Sequence, residues 1–207
     1  MSTQLELLDY RRRVHAHYAE LRASRLLRPE RCAAFRHARD ELFTSHPQSA
    51  LSPEQRARLA HLDYFPYDPG LRFLVAVDWE VDAEVFEIPL RDDGRFHIRR
   101  LGRVQFEWGG APQSLSLFWI MGYGGGLFLP FRDATRLNGE TYGGSRYLLD
   151  TIKGADLGSE DGKLVLDFNF AYNPSCAYSP RWDCPLAPQE NWLDVPIPAG
   201  EKAFSLD

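Results

Sequence analysis

The chain has 207 residues, 44% hydrophobic and 26% charged, which suits one domain with an appendage or two small domains and allows a sizeable core. Its net charge of -5 at pH 7 argues against general nucleic-acid binding. No apolar run approaches the roughly 20 residues that span a bilayer, and the N-terminus lacks the apolar stretch of a secretory signal. We therefore predict a cytoplasmic protein with neither a membrane nor a nucleic acid as partner.

The first third of the chain is predicted to be helical. Spacings of three and four residues form one apolar stripe, consisting of Leu7, Tyr10, Val14, His17 and Leu21. A second helix is predicted to begin near Pro29, which suits a first helical position. A third is predicted after Ser52, because Ser52 can cap it and Gln55 can close a capping box. Residues 1–63 are thus assigned to a helical segment.

From Leu71 onward, short runs rich in Val, Phe, Trp and Tyr are broken by Gly and Pro, which predicts β-strands. The predicted strands are 72–79, 83–90, 95–101, 103–108, 114–121, 126–133, 140–149, 163–170 and 192–197. Asp93-Gly94 and Asn138-Gly139 suit tight hairpins that need positive φ. Short connections without helical crossovers favour antiparallel pairing. The predicted fold is mainly β (α+β): residues 64–207 form an antiparallel β-barrel, which we favour, or a barrel-like sandwich.

Three segments carry a resemblance to a known family. They read LFLPFRDAT, ETYGGSRYLLD and LVLDFNFAYNPSCAYSPRWDCPLAPQENWLDVPIPAGEK. Together they strongly resemble the domain-of-unknown-function family 1684, most clearly from Leu127 to Lys202. The resemblance implies a β-rich domain after N-terminal helices and no assigned activity. It carries over to Phe131, Arg132, Asp133, Thr135, Tyr142, Gly143, Arg146, Tyr147, Asp167, Asn169, Tyr172, Asn173, Pro174, Cys176, Cys184, Pro185, Asn191 and Glu201.

The strand alternation places Asp133 on the apolar face of the predicted strand 126–133. A buried carboxylate needs a partner, so we predict that Arg146 pairs with Asp133 or Asp167 or lines a cavity between them. One reading is a structural ion pair with Arg146 or Arg132. In the other, an arginine of this group receives a carboxylate or phosphate, which its planar fork suits.

Asp167 and Asn169 share the face opposite the apolar row of the predicted strand 163–170. They either bond backbone groups of the following Pro174–Pro185 loop or form a polar stripe that faces a ligand. In the second case, a further set should join them around one concave opening: Tyr142, Arg146, Tyr172 and Asn173.

The three cysteines cannot all pair within one chain, and a cytoplasmic protein keeps thiols reduced by default. Cys176 and Cys184 are separated by seven intervening residues rather than two, and no histidine lies near them in the sequence. This spacing does not indicate a zinc or redox motif. We predict free, inert, partly buried thiols and no metal.

These observations leave three functions open. The first is binding of a small anionic or polar-aromatic ligand in the mouth of a β-barrel by Arg132, Asp133, Tyr142, Arg146, Asp167, Asn169, Tyr172 and Asn173. The second is a hydrolase-type enzyme that uses the carboxylates of Asp133 and Asp167. The third is a protein-interaction scaffold. The sequence indicates no particular cofactor and leaves a homodimer open.

Overall fold

The computed structural model describes residues 3–91 and 94–206. Three α-helices come first: α1 (Thr3–Ala23), α2 (Arg28–Ser45) and α3 (Pro53–Arg58). The capping box of α3 is confirmed, since Ser52 Oγ accepts from the Gln55 amide and the Ser52 amide donates to Gln55 Oε1 at 2.7 Å. Tyr18 and Leu21 are the buried residues of α1, so Tyr18 takes the place that the predicted stripe gave to His17.

Nine strands follow in the described part of the chain. They are β1 (Arg72–Val75), β2 (Val77–Asp78), β3 (Val85–Pro89), β4 (Arg95–Trp108), β5 (Ala111–Ile120), β6 (Gly126–Phe131), β7 (Arg146–Asp150), β8 (Ser159–Glu160) and β9 (Lys163–Asp167). The first sheet has the order β1-β9-β8. In the second sheet, β2 and β3 both pair with one edge of β4. The other edge of β4 pairs with β5, and the sheet then runs in the order β5-β6-β7. Every pairing between these strands is antiparallel.

The predicted mainly antiparallel fold with helices in front is confirmed, but the closed barrel that we favoured is wrong. β1 pairs with β9, with Arg72 opposite Asp167, while β2 pairs with β4. The described strands therefore form two open sheets, and the sandwich alternative is the nearer description. Barrel closure depends on pairing between distant strands, which the local pattern does not encode.

The predicted strands 95–101 and 103–108 are one strand, β4, with a register shift between Arg100 and Gly102. A Cβ atom at Gly102 would lie 2.6 Å from Val77 Cγ1 and 2.8 Å from the Asp78 carbonyl oxygen. The glycine therefore marks a bulge where β2 approaches closely, rather than a turn between two strands.

Asn138-Gly139 does not form the predicted hairpin. Residues Ala134–Asn138 form a 3-10 helix after Asp133, whose side chain accepts from the Thr135 amide. Gly139 ends this helix with a φ of 79°. The predicted positive φ is therefore present, but at the end of a 3-10 helix instead of in a hairpin. As a result β7 begins only at Arg146. The other predicted hairpin is Asp93-Gly94, and its Asp93 lies outside the described residues.

The predicted strand 192–197 is also absent from the described structure, where this part of the chain makes an isolated bridge between Trp192 and Arg132. Asn191 explains its path. Its fully buried amide accepts from the Ser116 amide at 2.7 Å and donates to the carbonyl oxygens of Ser116 and Pro130. The segment is thus tied across β5 and β6 by a side chain instead of a strand ladder.

One apolar core joins the two sheets. It takes Val75 from β1, Phe106 from β4 and Leu166 from β9, together with the C-terminal Ile197. A smaller cluster fastens the helices, where Tyr18 and Phe35 pack against Phe170, which lies just after β9. No helix in residues 3–91 or 94–206 combines the length and apolarity that crossing a membrane requires.

Candidate functional site

A cleft of about 390 Å³ opens between the helices and the β-structure. One side is formed by α1 and α2, and the other by β7, residues 153–155 and the loop 172–184. Its size lies within the roughly 300–1,000 Å³ of small-molecule pockets. We call it the aromatic cleft. It lies between helices and sheet, not in the barrel mouth where the sequence predicted a site.

Aromatic side chains dominate the walls of the cleft. Those among the described residues are Tyr10, Tyr18, Phe43, Tyr147, Tyr172, Tyr178 and Trp182. The rings of Tyr147 and Tyr172 meet edge to face with centroids 5.8 Å apart. The indole Nε1 of Trp182 donates to the carbonyl oxygen of Ala50 at 2.9 Å, which fixes the ring. Rigid aromatic walls of this kind offer flat apolar surface to a ligand.

Tyr172 reaches the cleft because it continues the edge of the sheet. The Tyr147 amide donates to the Tyr172 carbonyl oxygen at 2.9 Å, and the Tyr172 amide donates back to Tyr147 at 3.1 Å. The next residue, Asn173, is 2% exposed and donates from Nδ2 to the Lys202 carbonyl oxygen at 2.7 Å. Backbone pairing and a side-chain anchor thus hold this wall of the cleft in place.

A buried ion pair underlies the floor of the cleft. Arg39 Nη2 lies 3.1 Å from Glu201 Oε2, and Glu201 is 1% exposed. Glu201 also accepts hydrogen bonds from the Tyr178 hydroxyl and, at 3.0 Å, from the Asn173 amide. Burial raises the pKa of Tyr178, and the negative charge of Glu201 raises it further, so the phenol stays protonated as a donor. The Arg39 guanidinium also stacks on the Phe43 ring at 4.5 Å.

The charged groups along the cleft are mostly basic. Among its described lining residues, Arg11, Arg39 and Lys153 are basic and Asp183 is acidic. Glu201 neutralises Arg39 from behind and Asp150 pairs with Lys153, so Arg11 contributes most to the positive charge at the rim. The Lys153 side chain is half exposed, and Nζ lies 3.4 Å from an Asp150 oxygen. Such a rim favours an anionic group on a ligand.

The predicted pairing of Arg146 with Asp133 is confirmed. Arg146 Nη2 donates to Asp133 Oδ1 at 2.9 Å, and both side chains are at most 2% exposed. The guanidinium also donates to the carbonyl oxygens of Ile197, Ala199 and Glu201. Asp133 Oδ2 accepts from the Ile197 amide at 2.7 Å and from the hydroxyl of the nearby Thr135. The pair therefore fastens the C-terminal segment to the sheet, while Arg146 Nε is buried without a hydrogen-bond partner among the described residues.

Asp167 and Asn169 are clamped inside the protein. Asn169 Oδ1 accepts from the backbone amide of Asp68 at 2.8 Å. Asn169 Nδ2 donates to the Asp68 carbonyl oxygen at 2.8 Å and to Asp167 Oδ1 at 2.9 Å. Asn169 thus bonds backbone groups of the segment before β1, and Asp167 Oδ1 accepts from the Asn169 backbone amide at 3.0 Å, rather than either bonding the Pro174–Pro185 loop as one reading expected. Burial raises the pKa of Asp167, which also borders a separate cavity of about 160 Å³ with Arg72.

The remaining predicted site residues lie elsewhere. Arg132 stacks on the ring of Trp192 at 4.5 Å, and burial lowers its pKa. Tyr142 donates from its hydroxyl to Cys176 Sγ at 3.5 Å. The eight predicted residues therefore do not surround one opening, because the 3-10 turns after β6 and β9 redirect the chain between them. Of the eight, Tyr172 and Asn173 line the aromatic cleft.

Most of the cleft was missed by the sequence reasoning. The helix residues that line it include Tyr18 and Arg39, and the loop adds Trp182. One signal was present, because Arg39 lies four residues after Phe35 and three before Leu42 and so falls on the apolar stripe of α2. An arginine on a buried stripe indicates a buried partner. In the described part of the chain, no group of three or more His, Cys, Asp or Glu side chains is placed to hold a metal ion.

The comparisons with known proteins give a family but no activity. The profile of the family described as "Protein of unknown function (DUF1684)" matches residues 57–202. The chain belongs to this family. The match confirms the resemblance carried by the three segments named above, and it extends upstream through β1 to the last two residues of α3.

A solved structure supports the same fold. An uncharacterized protein from Haloarcula marismortui, determined in solution by NMR, is 32% identical, and the alignment covers 84% of this chain and 92% of that one with a TM-score of 0.58. No protein with curated function matches the chain. The function has to be argued from the site itself.

Proposed function

We propose that this DUF1684 protein binds a small aromatic acid in the aromatic cleft. The observation that carries the proposal is the combination of about 390 Å³ of space, walls of tyrosine, phenylalanine and tryptophan, and a rim with Arg11 and Lys153. The aromatic body of the ligand would lie against the walls, and its carboxylate would lie at the basic rim.

The chemical class of the ligand follows from the charged side chains of the aromatic cleft. Arg39 is already neutralised by Glu201, so a ligand cannot take over its charge without leaving a buried carboxylate unpaired, which is costly. Lys153 pairs with Asp150, whose side chain is 4% exposed, so the same cost applies to it. Arg11 is exposed on α1 and can meet a ligand carboxylate at the cleft mouth without uncovering a buried acid. The acidic group of the ligand is therefore placed at the rim, and the floor supplies shape and apolar contact.

Isothermal titration with benzoate and 4-hydroxybenzoate as probes tests this proposal, with benzamide as the uncharged analogue. We expect saturable one-site binding of the two acids and at least about tenfold weaker binding of benzamide, equivalent to about 1.4 kcal/mol. Arg11→Met should reduce the affinity for the acids toward that for benzamide. Equal binding of the acid and the amide would remove the basis for an anionic ligand.

Two matched variants locate the binding. Val14 is partly buried and lines the cleft, whereas Ala16 is exposed on the same helix. Val14→Trp should fill the cleft and abolish binding, and Ala16→Trp should leave it unchanged. Native mass spectrometry of the protein from its own host should then show the natural ligand in the wild type and in Ala16→Trp. Binding that survives Val14→Trp would place the site outside the cleft.

A further inference from the structure

Two cysteines distant in sequence meet in the loop beside the aromatic cleft. The backbone amide of Cys176 donates to Cys184 Sγ at 3.4 Å, so the Cys184 thiol lies next to Cys176. Cys176 lies in a 3-10 turn, Ser175–Ala177, that turns the chain back toward Cys184. Both cysteines are free and partly exposed. Their proximity is set by the fold of the loop, so the seven-residue spacing gave no sign of it.

Tyr142 completes the surroundings of Cys176. Its hydroxyl donates to Cys176 Sγ at 3.5 Å. The ring fits there because residue 144 is glycine, and a Cβ atom at Gly144 would lie 2.4 Å from Tyr142 Cε1. A phenol donor on one side and a thiol on the other stabilise negative charge on the Cys176 sulfur.

The two thiols differ in acidity. The Cys184 thiol donates to the Cys176 sulfur, and with the Tyr142 hydroxyl it lowers the pKa of Cys176 to about 7. The same contact, together with burial, raises the pKa of Cys184. Cys32 offers a contrast, since it is 1% exposed and burial raises its pKa to about 11. At neutral pH about half of Cys176 is therefore thiolate, with the Cys184 thiol beside it.

We propose that Cys176 and Cys184 form a peroxide-reactive dithiol, in which Cys176 attacks and Cys184 resolves. The Cys176 thiolate attacks one oxygen of hydrogen peroxide and breaks the O–O bond. This gives a sulfenic acid on Cys176 and releases hydroxide, which takes up a proton to become water. The Cys184 sulfur then attacks the Cys176 sulfur, forms the S–S bond and releases the sulfenic oxygen as a second water. In total, two thiols are oxidised to a disulfide while one peroxide is reduced to two waters.

This proposal departs from the expectation of inert thiols and does not depend on a ligand in the cleft. Cys184 and Lys153 line the aromatic cleft, and the charge of Lys153 helps to lower the pKa of Cys176, but the hydrogen bonds that activate Cys176 come from Cys184 and Tyr142. The Val14→Trp variant should therefore keep the thiol reaction while losing ligand binding. The two proposals can fail separately.

Peptide mapping after peroxide treatment tests the pair directly. Trypsin cuts after Arg181, so Cys176 and Cys184 fall in the separate peptides 164–181 and 182–202. In the reduced and then peroxide-treated wild type, we expect these two peptides to remain joined by a disulfide that a reductant cleaves. Cys32 should stay a free thiol. Recovery of both peptides unlinked and unoxidised, under conditions that oxidise free cysteine, would overturn the proposal.

The roles of the individual groups are tested by variants and a pH profile. In Cys184→Ala, the sulfenic acid on Cys176 should persist and react with dimedone. The alkylation rate of Cys176 by iodoacetamide should show a midpoint near pH 7 in the wild type. The midpoint should rise toward the ordinary value of about 8.5 in Cys184→Ala and in Tyr142→Phe. A wild-type midpoint already at that ordinary value would show that Cys176 is not activated.

Discussion

Arg146→Met is expected to lower the free energy of unfolding by about 3–5 kcal/mol, because the substitution leaves Asp133 as a buried carboxylate without its cation. Asp133 is 2% exposed, so water cannot replace the lost partner. The carbonyl oxygens of Ile197 and Ala199 also lose their donors, which loosens the C-terminal segment. Equilibrium unfolding in urea with linear extrapolation measures the loss.

Arg132→Met is the matched control for this prediction. Arg132 belongs to the same region but is only partly buried, and it stacks on Trp192 in a contact that is worth about 0.5–1 kcal/mol. If Arg146→Met costs no more than Arg132→Met, the buried pair does not hold the C-terminal segment.

Glu201→Leu is the second large loss that we expect, again about 3–5 kcal/mol, because Arg39 then keeps a buried charge with no counterion. The Tyr178 hydroxyl and the Asn173 amide lose their acceptor at the same time. This change should also disorder the floor of the aromatic cleft, so probe binding should fall together with stability.

A double-mutant cycle separates the ion pair from general damage. Arg39→Met alone leaves Glu201 buried and unpaired, while the double variant Arg39→Met/Glu201→Leu leaves no charge behind. We therefore expect the double variant to be more stable than the sum of the single losses predicts, by about 1–3 kcal/mol. Strict additivity of the two losses would mean that Arg39 and Glu201 do not depend on each other.

The parts of the fold that depend on neighbouring residues could be predicted from the sequence. The capping box of Ser52 and Gln55 involves four consecutive residues, and the structure has it. Strand alternation alone placed Asp133 on a buried face, and burial of a carboxylate then demanded a partner such as Arg146. Both inferences rest on short-range geometry or on a large energetic cost.

The parts that depend on long-range pairing could not be predicted. Whether β1 closes a barrel or pairs with β9 depends on which strands meet in space. In the structure β1 pairs with β9, so that Arg72 lies opposite Asp167, far away in the sequence. The meeting of Tyr18 and Tyr172 in one cleft likewise depends on how the helices pack on the sheet.

Irregular turns limited the prediction of the candidate site in a different way. The 3-10 turn at Ser175–Ala177 brings Cys176 to Cys184. A second 3-10 turn begins where the Asp167 side chain accepts a hydrogen bond from the Asn169 amide, and it ends the predicted strand 163–170 early. In both places a side chain or a turn replaces the two-residue alternation on which the strand predictions relied.

The indole signals of the tryptophans in a two-dimensional ¹H–¹⁵N spectrum test the central claim most directly. Of the five tryptophans, all within the described residues, Trp182 is the one that lines the aromatic cleft. On titration with 4-hydroxybenzoate, we expect the Trp182 Nε1–H signal to shift saturably in the wild type and in Ala16→Trp, and to stay in place in Val14→Trp. The other four native indole signals should not move in any of the three proteins. A Trp182 signal that stays fixed in the wild type at saturating probe would contradict binding in the aromatic cleft.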